Sequence, residues 1–161
     1  MTKIQEIQKI LGVVQDDIWG PKSQAALDAE IDKRKGKVYV GKASSFADPK
    51  DIEAFKRCKR TGKTDKQCFA VGDNGIGQFG ANTAQTHTPM CALHATQMVK
   101  DFGSIAKAAH NKMKVTANGK TVVCLVEDRM SAPGRVDLNP AAAKVLGLKP
   151  PFLVNATWQK A

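Results

Sequence analysis

Asn118 and Gly119 stand between two strand-like runs, 114–117 and 121–126, and such a pair favours a tight antiparallel hairpin over almost any other connection. The second run is apolar throughout: Val122, Val123, Leu125 and Val126 surround Cys124, which predicts a strand buried on both faces. It ends on Glu127 and Asp128, and a second acid, Asp137, opens a helix read over residues 139–146 with Pro140 in its first turn. A carboxyl group at the end of a rigid buried strand is partly desolvated. Its pKa then rises toward the range where it donates and accepts protons near neutrality. The plainer alternatives are a surface ion pair of Asp128 with Arg129 or Arg135, and a simple capping role for Asp137.

The rest of the chain divides at a charged segment, residues 32–37. Residues 1–34 hold five basic and six acidic side chains, whereas 35–161 hold twenty basic and nine acidic ones, so the net charge of +10 belongs wholly to the second part. A basic domain of that kind is drawn to polyanions. Nucleic acid is disfavoured as the partner, because aromatic residues are only 6% of the chain and no helix-turn-helix, zinc finger or glycine-aromatic strand signature occurs. In the first part Ile4, Ile7, Ile10 and Leu11 recur at helical spacing, and residues 23–31 form a second helix with Ala25, Ala26, Leu27 and Ile31 on its apolar side. In the second part a strand opens near residues 38–41, and Asp48 and Pro49 start a helix through Lys59. Residues 96–111 read as helical, and 152–158 as the closing strand. The glycine-rich stretch 72–80 lets a ligand approach the backbone closely, and no Gly-Lys-Ser or Gly-Lys-Thr follows to make it a phosphate cradle. No apolar run is long enough to span a membrane.

Several of these segments resemble the double-psi β-barrel of rare lipoprotein A, with expansins and family 45 glycoside hydrolases as more distant relatives. That family ends a strand on Asn-Asp-Arg-Gly-Pro, continues with Arg-Ile-Ile-Asp-Leu-Ser, and follows with an Ala-rich helix closing in Leu-Gly. The matching residues are Glu127, Asp128, Arg129 and Met130, then Gly134 to Asn139, then Ala141, Ala142 and Ala143 with Leu146 and Gly147. Upstream, residues 40–46 resemble the opening Gly-x-Ala-Ser-Trp-Tyr strand, Asp73 to Gly77 the Asn-Gly-Glu turn, and Cys91 to His94 the Thr-Ala-Ala-His segment, all in the family's order. The fold class implied is mainly β: a six-stranded double-psi β-barrel over 35–161 with inserted helices, among them the 48–59 helix and the loop after it. Residues 1–34 resemble the small three-helix peptidoglycan-binding domain, through Leu11, Gly12 and Val13 and then Asp16, Ile18, Trp19, Gly20, Pro21 and Lys22.

The resemblance implies a lytic transglycosylase acting on peptidoglycan. Asp128 would be the acid and then the base, with His94 and Asp137 beside it. Trp19, Asn74, Gly75, Gln78, Arg129 and Arg135 become candidates for substrate binding. The family's glutamate after Asn-Gly is missing, with Ile76 or Gln78 near its place, and Met130 replaces a glycine. The missing glutamate favours the alternative, a non-catalytic, expansin-like protein that binds and loosens wall polysaccharide, whereas Asp128 and His94 favour the enzyme, which is the leading reading. A protease-inhibiting barrel is a third reading that leaves residues 1–34 without a role.

Cys58, Cys68, Cys91 and Cys124 are spaced unlike a zinc site, and neither a metal nor a cofactor is expected. A disulfide framework fits better. Three connectivities exist, and the expected one pairs Cys58 with Cys68 around a polar loop and Cys91 with Cys124 across the barrel, each bridge contributing roughly 3 kcal/mol. Such bridges imply an oxidising compartment, periplasmic or extracellular, and a monomer is expected. Residues 1–15 carry no apolar leader core, so the reading includes leaderless export, phage lysis or a trimmed chain.

Overall fold

The computed structural model describes the backbone of residues 1–161 and all side chains except those of residues 32–35. It forms two compact units, Met1–Lys37 and Val38–Ala161. The first unit holds α1 (Lys3–Leu11) and α2 (Pro21–Lys35). Thr2 caps α1 in a reciprocal box with Gln5, and Gly12 ends it at φ 69°. The charged segment expected to be a linker is therefore, in its first part, the end of α2; its side chains 32–35 lie outside the described ones.

The sequence predicts an apolar stripe as the core of this unit, yet Ile7 and Ile10 are exposed, and among the described side chains the buried ones are Gln8 and Ser23. Gln8 Nε2 donates to Asp16 Oδ1 (2.9 Å), the Ile18 carbonyl (2.9 Å) and Ser23 Oγ (3.2 Å), while Gln8 Oε1 accepts from the Asp17 amide (3.3 Å). One amide side chain thus shapes the interhelical loop. A buried polar group fully paired in this way avoids the cost of desolvation without partners.

The second unit runs β1 (Tyr39–Ser45), α3 (Pro49–Arg60), α4 (Asp65–Cys68), β2 (Met90–His94), α5 (Ala95–Phe102), α6 (Ile105–Ala108), β3 (Lys112–Ala117), β4 (Lys120–Met130), β5 (Arg135–Leu138), α7 (Pro140–Leu146) and β6 (Leu153–Lys160). The strands close a barrel in the order β1, β5, β2, β4, β3, β6, with β1 parallel to β5, β2 parallel to β4, and the other neighbours antiparallel. Exchanging β1, β2 and β3 for β4, β5 and β6 reproduces every neighbour and its sense. This internal twofold arrangement is that of a six-stranded double-psi barrel, and closure leaves no open sheet edge.

The Asn118 and Gly119 hairpin forms as expected, with both residues at positive φ and Ala117 paired with Lys120. Its second strand departs from expectation in two ways. It continues to Met130, and it alternates: Val122, Cys124 and Val126 face the interior, whereas Val123 is exposed. The reason is its place between antiparallel β3 and parallel β2, on a barrel wall whose outer face is only partly covered. The helix read over 96–111 is two short helices, α5 ending on Gly103 at φ 88° and α6 restarting on the Ser104 cap. Asp137 does not open a helix; it lies within β5, and Asn139 caps α7 instead.

Asn139 is fully buried and joins three segments. Its Oδ1 accepts from the Met90 amide (2.9 Å) and the Ala142 amide (3.0 Å), and its Nδ2 donates to the carbonyls of Thr83 (3.2 Å) and Thr88 (3.0 Å). Replacement Asn139→Ala leaves these groups unpaired and should cost about 3 kcal/mol of unfolding free energy, read from urea denaturation.

Of the two expected disulfides, Cys58 to Cys68 is present. Cys91 and Cys124 are instead free and buried, which corrects the second pairing. Cys91 lies opposite Val126 in the parallel ladder, so Cys124 is two positions back on the neighbouring strand. That offset separates the Cα atoms by roughly 8 Å, given the spacings along and across strands. A disulfide reaches only to about 7 Å. The hydrogen bond with Cys124 and burial push the Cys91 thiol well above its ordinary pKa, which makes it unreactive. Ellman's reagent should therefore detect no fast-reacting thiol in the native protein and two after denaturation without reductant.

Candidate functional site

The centre of the site is set by a slip in one ladder. Cys91 on β2 pairs with Val126 on β4, but the next residue, Ala92, pairs with Asp128, so Glu127 is an extra residue taken up as a β-bulge. Simple alternation after Val126 would send Asp128 into the barrel. The bulge turns it outward. On that outer face Ala92 also pairs with Asp137 on β5, and Asp137 pairs with Ser44 on β1. Ser44, Asp137, Ala92 and Asp128 thus form a row across four adjacent strands. The two acids lie two strands apart, about 10 Å between backbones, with the small Ala92 as the floor between them.

Glu127 itself is buried, its Oε1 2.8 Å from His110 Nδ1, and its Oε2 has no partner. Its carbonyl accepts from the Phe79 amide (3.4 Å), and the adjacent Gln78 amide donates to Asp128 Oδ1 (2.9 Å). Gly77 is required for this approach: a Cβ there would lie 2.3 Å from the Glu127 carbonyl oxygen. Residues 77–79 therefore hold the bulge and the acid together from one side.

The row opens into a cavity of about 890 Å³. One wall is the strand face with Asp128, Asp137 and His94, with Gln78 beside Asp128, and the other comes from residues 69–76, including Phe69 and Asp73. Burial pushes Asp128 above the usual carboxylate range, against the lowering effect of the Arg129 and Gln78 amides. Burial likewise raises Asp137, whose Oδ1 accepts from Ser44 Oγ, and raises Asp73, whose Oδ1 accepts from the Gly75 amide (2.6 Å). Just behind, Asp51 is pushed up to about 6 by burial and by the charge of Asp48. Among the described residues no ion pair links Asp128 or Asp137 to Arg129 or Arg135. The cavity therefore offers carboxyl groups that hold protons more readily than free aspartates. No group of side chains suited to holding a metal occurs among the described residues, and no described helix is long and apolar enough to cross a membrane.

No family profile and no curated protein matches the chain. Among solved structures, apo expansin from Clavibacter michiganensis aligns with a TM-score of 0.49 at 14% identity, over 78% of this chain and 50% of that one. A mutant of the same expansin in complex with cellohexaose gives the same figures. A Streptomyces papain inhibitor aligns with a TM-score of 0.48 at 18% identity, over 80% of this chain and 97% of the inhibitor. The chain spans about half the length of the expansin.

The structure brings Asp128, Asp137, His94, Gln78, Arg129 and Arg135 to one cavity. His94 ends β2 and caps α5, its Nδ1 accepting from the Thr96 amide (3.3 Å). Asn74 and Gly75 stand apart from that cavity. Asn74 closes a turn onto the Ile76 amide (2.9 Å) and borders a separate depression on α3, while Gly75 is packed against Ile52 and Ala84. Trp19 belongs to the first unit, where its indole donates to Gln24 Oε1 (3.0 Å). The Cys91 and Cys124 pair, as above, is not a disulfide. Sequence reasoning missed Asp73 and Phe69 in the cavity wall and the pair of Glu127 with His110. The glycines at 72 and 77 are the signal that a close backbone approach was needed there.

A carboxyl whose pKa is raised by folding stabilises the native state while protonated and loses that contribution as pH climbs through the folded value. The unfolded reference is near 3.9. Asp128→Asn should therefore melt a few degrees above the wild type at pH 7, and the two should converge at pH 3, where Asp128 is protonated in both states; calorimetry at the two pH values checks this.

Proposed function

We propose that this protein binds cell-wall polysaccharide in the manner of an expansin-like barrel, gripping a glycan strand in the cavity between Asp128, Asp137 and the facing wall. The observation that carries this reading is the row Ser44, Asp137, Ala92, Asp128: an open, sugar-sized channel with hydrogen-bonding groups on either side of a small-residue floor. A neutral glycan asks for such groups without fixed charge pairs, and the carboxyls supply acceptors beside the Ser44 hydroxyl and the Gln78 side chain. The net positive charge outside residues 1–34 suits a wall bearing peptide carboxylates or teichoic acids. The resemblance of residues 11–22 to the peptidoglycan-binding motif supports an anchoring role for the first unit. The Cys58 to Cys68 bridge suits an oxidising, extracytoplasmic setting.

A second reading, lytic transglycosylase action, is favoured by Asp128 itself. A buried carboxyl at the channel can protonate the leaving glycosidic oxygen and then take the proton from the muramic hydroxyl as the anhydro ring closes, so no water is consumed. His94 would orient the sugar. Hydrolysis in the usual sense employs two carboxyls in fixed roles, and Asp137 is the available second group.

Purified sacculi separate these readings. The expected result is co-sedimentation of wild type and Asp128→Asn alike, with no soluble fragments from either. Anhydromuropeptides released by the wild type, and reduced at least about a hundredfold in Asp128→Asn, would select the enzyme. Failure of the wild type to sediment with sacculi or cellulose would overturn both.

A further inference from the structure

The wall opposite the carboxyl row is built by the insertion after β1, and its most prominent side chain is Phe69. Phe69 is 51% exposed and faces the cavity; it is the one aromatic residue of the second unit that is exposed among the described residues. Single exposed apolar side chains are common on protein surfaces and carry no meaning alone. Phe69 is distinguished by how firmly it is held. Cys68 beside it is fully buried and bonded to Cys58 on α3, Thr64 caps the four-residue α4 in a reciprocal box with Gln67, and the ring leans on Phe55 with centroids 5.0 Å apart. The chain then passes flush against α3 at Gly72, where a Cβ would meet the Asp51 carbonyl oxygen at 2.4 Å. The insertion thus holds the Phe69 ring at the cavity, and Ile76, also 51% exposed, and Met130 add apolar surface to the same lining.

A pyranose ring has the matching polarity. Its C–H face is apolar, and its rim carries hydroxyls. Resting on this reading of the cavity as a polysaccharide site, we infer that Phe69 is a stacking platform for a pyranose unit, whose C–H face lies on the phenyl ring while its hydroxyl rim turns to Asp128 and Asp137 across the channel. The class of ligand is a glycan of flat rings with equatorial hydroxyls, as in β-1,4-linked chains. The Cys58 to Cys68 bridge acts as the positioning device, because it anchors the residue next to the ring.

The test measures binding of the full chain to sacculi by sedimentation and to cellohexaose by calorimetry, for the wild type, Phe69→Ala, Phe69→Leu and Phe69→Trp. Circular dichroism and melting curves confirm that each is folded. Stacking predicts that Phe69→Ala and Phe69→Leu both weaken binding about tenfold while Phe69→Trp equals or exceeds the wild type. Wild-type affinity in a folded Phe69→Ala or Phe69→Leu protein overturns the inference and leaves polysaccharide binding intact. A wild type that binds neither probe removes the polysaccharide reading, and the stacking role falls with it.

Discussion

Glu127 is one residue more than the pairing of β4 with β2 can use, and the ladder accommodates it as a bulge rather than by shifting the whole strand. A shift would move Val122, Cys124 and Val126 out of the interior, where they pack with Leu93, Val136 and Trp158. The bulge confines the disturbance to one position and reverses the facing of the next side chain. Asp128 reaches the outer face for that reason alone, and the channel exists because Ala92 and Asp137 already occupy that face. The neighbouring segment then completes the arrangement, with Gly77 pressed on the bulge and the Gln78 amide on the Asp128 carboxylate.

The electrostatics follow from this placement. Three aspartates, 73, 128 and 137, share a half-buried channel, and burial is the largest influence on each. Backbone amides and Ser44 offset part of that penalty without removing it. Burial costs stability at all three positions and leaves protonatable groups on the cavity wall, an arrangement common at binding and catalytic sites. Arg129 and Arg135 border the channel and draw Asp128 and Asp137 down in turn, without outweighing burial.

The two halves of the channel have different origins in the chain. Strands supply the polar wall through ladder register, which is rigid. The insertion supplies the apolar wall through a short helix that could not persist alone, and a disulfide, a capping box and one aromatic contact hold it. In the first unit the same problem of a small segment without an apolar core is met by Gln8, whose four hydrogen bonds shape the loop between two helices.

The sequence by itself determined the local elements. The Asn118 and Gly119 turn, the Asp48 cap with Pro49, the helix with Pro140 in its first turn and the Cys58 to Cys68 loop all act between residues close in the chain, so composition and spacing were enough, although the cap of that helix is Asn139 and not Asp137. Motif order also carried the barrel. What tertiary structure alone decided were relations between strands distant in sequence: the bulge at Glu127, the row joining Ser44, Asp137, Ala92 and Asp128, and the absence of a bond between Cys91 and Cys124. Each depends on ladder register, which is fixed by the closure and packing of the whole barrel and leaves no mark in any single segment. Asn74 and Gly75 stand outside the cavity for the same reason, since Gly75 packs against Ile52 and Ala84.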